Sequence, residues 1–211
     1  MKYAALIALI VSVPAYAVDL EMSVGQTQYT KVDNTNWWQA GPASQGFSDN
    51  FNLTTTAFTI GITDKYSQHV NWRVGYADLG RATSVAMATA TDSMYNISTQ
   101  SCNPGCRMNK FVGNSDSDGV YATAQYITDV GLFAEAGLWI YRNNLNMTAT
   151  SGVGLYSVPA EDTFQVGPVV GVGYKKNNVS IAATVYEVQR TGQWPGIFTG
   201  YASVVSIRYK F

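Results

Sequence analysis

The sequence has little charge, little histidine and no long apolar run in its main part. Charged residues make up 13% of the 211 residues, roughly half of the usual quarter in a soluble domain. The formal net charge is −1, which argues against a nucleic-acid-binding protein because such proteins normally carry a basic surface. Beyond the N-terminal segment no run approaches the roughly 18 consecutive apolar residues that indicate a membrane-spanning helix. These features disfavour an ordinary soluble domain and a helical membrane protein.

The N-terminus has the features of a secretory signal peptide. Lys2 is followed by an apolar run from Ala4 to Val13, a proline and a small-residue triplet that ends at Ala17. A charged start, an apolar centre and an A-x-A end predict cleavage after Ala17. The run is too short to be an anchoring helix, which needs about 20 residues. We therefore predict a cleaved signal peptide at 1–17 and a single exported domain at 18–211.

Aromatic residues are abundant and reach 13% of the chain, with 14 Tyr and 5 Trp. Together with the low charge, this composition suggests that something other than water covers much of the surface. Only helices and closed barrels satisfy every backbone polar group inside a bilayer. Because no helix of sufficient length is predicted, the composition favours a closed β-barrel.

Apolar residues alternate with small or polar residues along eight segments, as expected for strands rather than helices. In the last segment, Tyr201, Val205 and Ile207 lie on one face, and Ala202 and Arg208 lie on the other. A lipid-facing and a lumen-facing side require this alternation, although a soluble sandwich would show it too. The predicted strands cover residues 20–27, 57–63, 70–77, 120–126, 132–141, 165–175, 179–186 and 201–211.

Short and long connections alternate between the predicted strands. The connections at 65–69, 128–130 and 176–178 are short, whereas those at 31–52, 81–118, 143–162 and 190–200 are long. Tight turns on one rim and long loops on the other are typical of outer-membrane barrels, in which the turns face the periplasm. The sequence therefore predicts an all-β fold, an eight-stranded antiparallel up-and-down transmembrane β-barrel with short periplasmic turns and long extracellular loops.

Four stretches resemble the OmpA/OmpX-like family of eight-stranded outer-membrane barrels, which includes the Opa-like surface proteins. They are VGYADLG at 74–80, LFAEAGL at 132–138, GPVVGVGY at 167–174 and the C-terminal YKF. The resemblance covers the strands and not the loops. It implies that Tyr209 and Phe211 form the signal read by the outer-membrane assembly machinery. It also implies a monomer in the outer membrane of a Gram-negative bacterium, with a role in adhesion, serum resistance, envelope structure or host-cell binding.

Charged residues at predicted inward positions suggest how the lumen is occupied. The interior of an eight-stranded barrel is just wide enough to be filled by side chains. The inward charges have both signs, so we expect them to form a network of ion pairs and water that fills the lumen; a conducting channel is the alternative. The predicted members of this network are Glu21, Arg73, Glu135, Lys175, Arg208 and Lys210.

The long loops carry a cysteine pair and several aromatic residues. Cys102 and Cys106 flank Asn-Pro-Gly, a strong turn sequence, and an exported protein meets an oxidising compartment. We therefore predict a disulfide that shapes the tip of this loop; metal binding by two thiols alone is the weaker alternative. The loop aromatic residues are candidate contacts for a host or surface ligand, or members of the membrane-rim girdle. They are Trp37, Trp38, Trp194 and Phe198.

Catalysis has little support in the sequence. The single histidine, His69, falls in a predicted periplasmic turn, and no G-x-S-x-G sequence occurs. Carboxylates in the predicted long loops could pair, but the sequence does not fix their positions; they are Asp33, Asp49, Asp92, Asp116, Asp118, Glu161 and Asp162. We predict no catalytic residue, cofactor or metal, and a non-enzymatic envelope protein. An outer-membrane lipid-modifying enzyme or protease and a soluble lipocalin-like barrel remain the alternatives.

Overall fold

A computed structural model describes residues 18–31, 47–88, 93–96, 101–104, 108–151, 154–188 and 198–211. The predicted signal peptide at 1–17 lies outside these residues. Within the described part of the chain, no helix has the length and hydropathy needed to cross a membrane.

The described residues form eleven β-strands. They are β1 (Asp19–Lys31), β2 (Phe47–Asn52), β3 (Thr54–Lys65), β4 (Val70–Ala88), β5 (Ser93–Asn96), β6 (Ser101–Pro104), β7 (Met108–Ile127), β8 (Leu132–Ser151), β9 (Gly154–Lys176), β10 (Val179–Glu187) and β11 (Phe198–Lys210). β5 and β6 form a separate two-stranded sheet. The other nine strands belong to one antiparallel sheet in the order β2-β4-β3-β1-β11-β10-β9-β8-β7.

This sheet closes on itself because β4 also pairs with β7. β2 and β3 are separated by Leu53 alone and both pair with β4, so they are two parts of one barrel strand. The result is a closed barrel of eight antiparallel strands, and the predicted fold is confirmed. The first and last strands meet along a continuous register that runs from Glu21 opposite Lys210 to Tyr29 opposite Ala202.

Alternation sets the two faces of the barrel, because successive side chains of a strand point to opposite sides. The outward apolar residues are exposed, as Val24, Leu138 and Ile207 illustrate at 57–58%. Their inward neighbours, such as Ser23, Trp139 and Arg208, are buried. The apolar faces therefore do not surround a ligand cavity, which removes the basis for the lipocalin-like alternative.

The turns predicted to face the periplasm are short, as expected. They comprise residues 66–69, 128–131 and 177–178. Asn177 has a positive φ of 55°, a conformation that asparagine tolerates better than most residues. β9 had the least favourable sequence for a strand because of its glycines and Pro168, yet it is the longest strand at 23 residues. Pro168 points outward and lies opposite Leu138 of β8.

The predicted loops at 81–118 and 143–162 are wrong over much of their length, because β4, β7, β8 and β9 continue through them as paired strands. These segments lack the apolar alternation by which strands are recognised. Their Asn and Asp residues have low strand propensity, but they pair in register, as Asp116 does with Asn144. The predicted 31–52 loop likewise contains β2.

Candidate functional site

The half of the lumen nearest the short turns contains a buried ion-pair network. Arg73 of β4 donates from Nη2 and Nε to Oε1 of Glu21 at 2.6 and 2.9 Å. Its Nη1 donates to Oε2 of Glu135 in β8 at 2.6 Å. Arg208 of β11 donates to both oxygens of Glu135, at 2.6 and 2.8 Å. Two arginines and two glutamates thus cancel each other's charge and link four strands across the lumen.

Neighbouring hydroxyl groups complete this network. Thr184 donates to Glu135 Oε1 at 3.1 Å and accepts from Arg208 Nη2 at 2.7 Å. Tyr121 accepts from Arg73 Nη2 at 3.2 Å. A buried charge is tolerated when its hydrogen-bonding capacity is met in this way.

Glycines on the inner wall give these large side chains room. A Cβ at Gly171 would lie 2.8 Å from Glu135 Oε1 and 3.0 Å from its Cγ. A Cβ at Gly75 would lie 2.8 Å from the Tyr121 hydroxyl oxygen. The glycine-rich sequence of β9 therefore has a packing reason, because a side chain at Gly171 would displace a carboxylate that two arginines hold.

An apolar cluster fills the lumen above the ion pairs. The indole of Trp139 stacks on Tyr141, with ring centroids 4.3 Å apart, and meets Tyr186 edge-on at 4.9 Å. Trp139 Nε1 donates to the backbone oxygen of Glu187 at 2.9 Å. Other members are Tyr29, Leu53, Leu79, Leu145, Val169, Val188 and Val204. Ion pairs below and aromatic packing above occupy the lumen as a two-layer plug.

A cleft of polar residues lies on the outer wall, above the apolar band. Arg142 pairs with Asp118 at 3.2 Å, and Arg81 pairs with Asp116 at 3.2 Å. Tyr76 donates to Asp118 at 3.0 Å, and Asn144 donates to Asp116 at 2.6 Å. The cleft has a volume of about 430 Å³, and its lining also includes Asp78 and Gly80. We call these residues the polar collar.

The collar was missed by the sequence analysis, which placed Asp116 and Asp118 in a loop and did not consider the two arginines. A usable signal is the first charged residue after each outward apolar row, because it marks the end of the lipid-facing surface. Asp78 follows Tyr76, and Arg142 follows Ile140 in this way. No group of three or more metal-ligating side chains occurs within the described residues.

Comparison with solved structures supports the fold. Ail, the attachment invasion locus protein of Yersinia pestis, aligns with a TM-score of 0.50 and 9% identity, covering 93% of this chain and 100% of Ail. This chain has the fold of the eight-stranded outer-membrane β-barrels. The OmpA/OmpX-like resemblance is therefore confirmed at the level of fold. The sequence itself matches no family model and no curated protein.

Two further solved structures contain a similar barrel. The N-terminal β-barrel domain of OprF from Pseudomonas aeruginosa aligns with a TM-score of 0.43 and 10% identity, covering 92% of this chain and 97% of that domain. Neisserial surface protein A aligns with a TM-score of 0.39 and 12% identity, covering 94% of this chain and all of that protein.

The structure brings four of the six predicted lumen residues together and places the other two at the mouth of the barrel on the side of the short turns. Lys210 pairs with Asp19 at 2.7 Å, and both side chains are partly exposed. Lys175 is half-buried near the same opening and belongs to no ion pair among the described residues. Both lysines point inward; Lys210 lies opposite Glu21 in register, but its Nζ binds Asp19 at the barrel mouth instead of the buried carboxylates.

Several other predicted residues can be placed only in part. Cys106, Trp37, Trp38, Trp194, Asp33 and Asp92 lie outside the described residues. Cys102, Phe198, Asp49, Glu161 and Asp162 lie in strands, but their side chains lie outside the described part. The disulfide and the loop aromatic contacts therefore stay predictions.

His69 and Phe211 both lie on the rim formed by the short turns. His69 Nδ1 is 3.1 Å from the backbone oxygen of Ile127 and 3.9 Å from Asp129 Oδ1, so this residue connects two neighbouring turns. Phe211 donates from its backbone nitrogen to Leu20 at 2.9 Å, and its ring meets Tyr209 edge-on at 4.8 Å.

Proposed function

We propose that this barrel is a non-enzymatic component of a Gram-negative outer membrane that presents a surface structure for adhesion or partner binding. The observation that carries the proposal is the extension of strands past the polar collar. The outward apolar row of β8 ends at Ile140, and the strand continues to Ser151. β7 runs in the opposite direction: its outward apolar row ends at Val120, and the part of the strand beyond the row extends back to Met108. At about 3.3 Å per residue, each strand continues for on the order of 35 Å of its own length beyond the end of its outward apolar row.

The filled lumen supports a role outside the barrel rather than inside it. Arg73 and Glu135 are bound to partners within the protein, and the Trp139 cluster lies above them. A substrate or permeant ion would have to displace both layers. His69 lies on the periplasmic rim, away from the surface where external substrates arrive.

Adhesion is the most specific form of this proposal. Ail, which shares the fold, is named for attachment and invasion. The long extensions of this chain provide a surface on which a host or environmental ligand could bind. A role in envelope integrity, in which the same extensions contact other envelope components, is the broader form.

The exposed outward rows support outer-membrane lipid as the partner of the barrel wall. Export behind a cleaved signal peptide and insertion by the outer-membrane assembly machinery through the C-terminal strand complete the proposal. The barrel is expected to be a monomer, because each of its eight barrel strands, with β2 and β3 counted as one, has neighbours on both sides within one chain.

A trimmed barrel tests the proposed function. Thr83 and Asn114 are register partners, as are Leu145 and Glu161. Joining each pair by an Asn-Gly turn, which suits a tight hairpin, removes both extensions above the collar. The matched control is Asn178→Gly, which alters a turn on the periplasmic rim.

Binding of bacteria that express each form to cultured epithelial cells and to immobilised matrix proteins is the measurement. Cold and boiled gel mobility confirms that the trimmed barrel is folded. We expect the trimmed form to lose binding and the control to keep it. Equal binding by intact and trimmed barrels would refute a role for the extensions.

A further inference from the structure

The apolar band of the barrel wall differs greatly in height between strands. The outward row of β9 contains six consecutive apolar residues, from Tyr174 to Phe164. The row of β1 contains only three, from Leu20 to Val24, and that of β3 also contains three, from Ile62 to Phe58. All strands of a barrel tilt by a similar amount, so the number of residues in a row measures the height of the band. At about 3.3 Å per residue these rows cover roughly 33 Å of strand on β9 and roughly 13 Å on β1 and β3.

Uncharged polar residues continue the short rows outward. Gln26 and Gln28 of β1 lie opposite Thr56 and Thr54 of β3, and all four are exposed. Thr54 donates a hydrogen bond from Oγ1 to Gln28 Oε1. On the other side of β1, Gln28 lies opposite the exposed Ser203 of β11. We call these five residues the polar wall patch.

The patch is continuous with the charged collar. Phe58, the last apolar residue of β3, lies opposite Asp78 of β4, and Asp78 lies opposite Asp118 of β7. A charged side chain facing lipid is strongly unfavourable in the hydrocarbon core and tolerated near the interface. The collar therefore marks the level of the lipid headgroups on β4 and β7, and the patch marks the same level on the neighbouring wall.

On β9, by contrast, the apolar row continues past its fourth residue, Pro168. Its last two residues, Val166 and Phe164, are 64% and 75% exposed. A flat bilayer of uniform thickness cannot match both walls. Placing the headgroups at Gln26 would leave Val166 and Phe164 in water, whereas placing them above Phe164 would bury the patch in hydrocarbon. Bilayers thin locally at modest cost to match a short apolar surface.

We propose that the β1–β3 wall is a lipid-headgroup contact surface, where the outer leaflet thins and headgroups descend to hydrogen-bond the polar wall patch. This inference rests on the membrane placement in the proposed function. The uncharged amide and hydroxyl groups of the patch suit phosphate and glycerol oxygens of a lipid and the water bound to them. A second copy of the chain is the other occupant that such a patch could accept.

Site-directed spin labelling of the full barrel tests the proposal in dimyristoyl-phosphatidylcholine vesicles. Cys102→Ser and Cys106→Ser provide a background for single labels. Gln28→Cys and Val166→Cys form a matched pair, because each is the fifth outward residue of its row. Val24→Cys is a label inside the band on the same strand as Gln28.

We expect a water-soluble nickel complex to reach the label at 28 severalfold better than those at 24 and 166, which oxygen should reach instead. Adding Gln26→Leu and Thr56→Val lengthens the apolar rows, so access of nickel at 28 should then fall. Gel mobility confirms folding in every variant.

Each other result has a distinct meaning. If the labels at 24, 28 and 166 all report hydrocarbon, the thinning is refuted while the membrane placement stands. If all three are open to nickel, the membrane placement itself fails. If neither reagent reaches the label at 28, and its spectrum shows dipolar broadening that unlabelled protein removes, a second copy covers the patch and the lipid contact is refuted.

Discussion

Arg73 and Glu135 meet across the lumen at 2.6 Å although 62 residues separate them in the chain. Arg73 also binds Glu21 on the first strand, and Glu135 binds Arg208 on the last strand. The strands that meet when the barrel closes are thus connected to the middle of the chain through these two residues. The network is complete only in the closed barrel, so it favours closure over open sheets of the same strands.

Removing the shared carboxylate should destabilise the barrel strongly. The Glu135 side chain is fully buried, and Glu135→Gln leaves two buried arginines with one glutamate. Breaking a buried pair in this way typically costs about 3–5 kcal/mol. Urea unfolding of refolded protein, followed by gel mobility, measures the loss.

Asp118→Asn is the control for this experiment. It removes a carboxylate of the collar that pairs with Arg142 where both side chains are 20–28% exposed, and such pairs contribute about 0–1 kcal/mol. Equal losses for the two variants would show that the lumen network does not stabilise the barrel more than a collar pair.

The sequence predicted the members of this network through the two-residue period of a strand, but not their individual bonds. Alternation places Glu21, Arg73, Glu135 and Arg208 on inward faces, and the narrow lumen leads them to meet. Which oxygen binds which nitrogen depends on the register and tilt of strands that are far apart in sequence. Lys210 shows the limit, because its inward direction is correct but its position at the strand end takes it to Asp19.

The strand extensions could not be predicted from the sequence, for a different reason. Within the apolar band, the outward side chains of each strand are apolar, so their alternation with the inward side chains is visible in the sequence. Beyond the collar the outward residues of β8 are polar, so residues such as Asn114 and Asn146 pair without an outward apolar row. The collar could have been predicted from the ends of the apolar rows, whereas the length of the paired strands beyond it could not.

The apolar layer predicts a contrast between two adjacent residues of β8. Trp139 is buried in the plug, whereas Leu138 faces lipid and is 58% exposed. Trp139→Ala leaves a cavity and should cost about 3–5 kcal/mol. Leu138→Ala leaves no enclosed space and should cost much less. Urea unfolding midpoints in dimyristoyl-phosphatidylcholine vesicles compare the two variants. A larger loss of stability for Leu138→Ala would contradict the assignment of the faces.

Gly171 and Glu135 should be energetically coupled. Adding a Cβ at 171 brings it to 2.8 Å from Glu135 Oε1, and crowding of this kind typically costs about 1–3 kcal/mol. Gly171→Ala should therefore destabilise the intact protein but have a smaller effect in a Glu135→Ala background, where the two nearest atoms are absent and only the backbone oxygen of Ala183, at 3.1 Å, remains close. A double-mutant cycle of unfolding free energies measures the coupling. Strict additivity would mean that the glycine serves the backbone and not the carboxylate.

Phe211 should matter more for assembly in the cell than for the stability of the finished barrel. Its ring is 63% exposed and contacts Tyr209, so deleting it removes little buried surface. The family resemblance assigns the terminal aromatic to recognition by the assembly machinery. We expect the deletion to lower the amount of folded protein in outer-membrane fractions severalfold, while the yield of refolding into detergent and the urea midpoint change only slightly, by the loss of one backbone hydrogen bond to Leu20. Lys210→Gln, which removes the neighbouring rim ion pair and keeps the terminal ring, should assemble normally. If the deletion lowers refolding in detergent as much as it lowers assembly in cells, Phe211 acts through stability and is not a recognition signal.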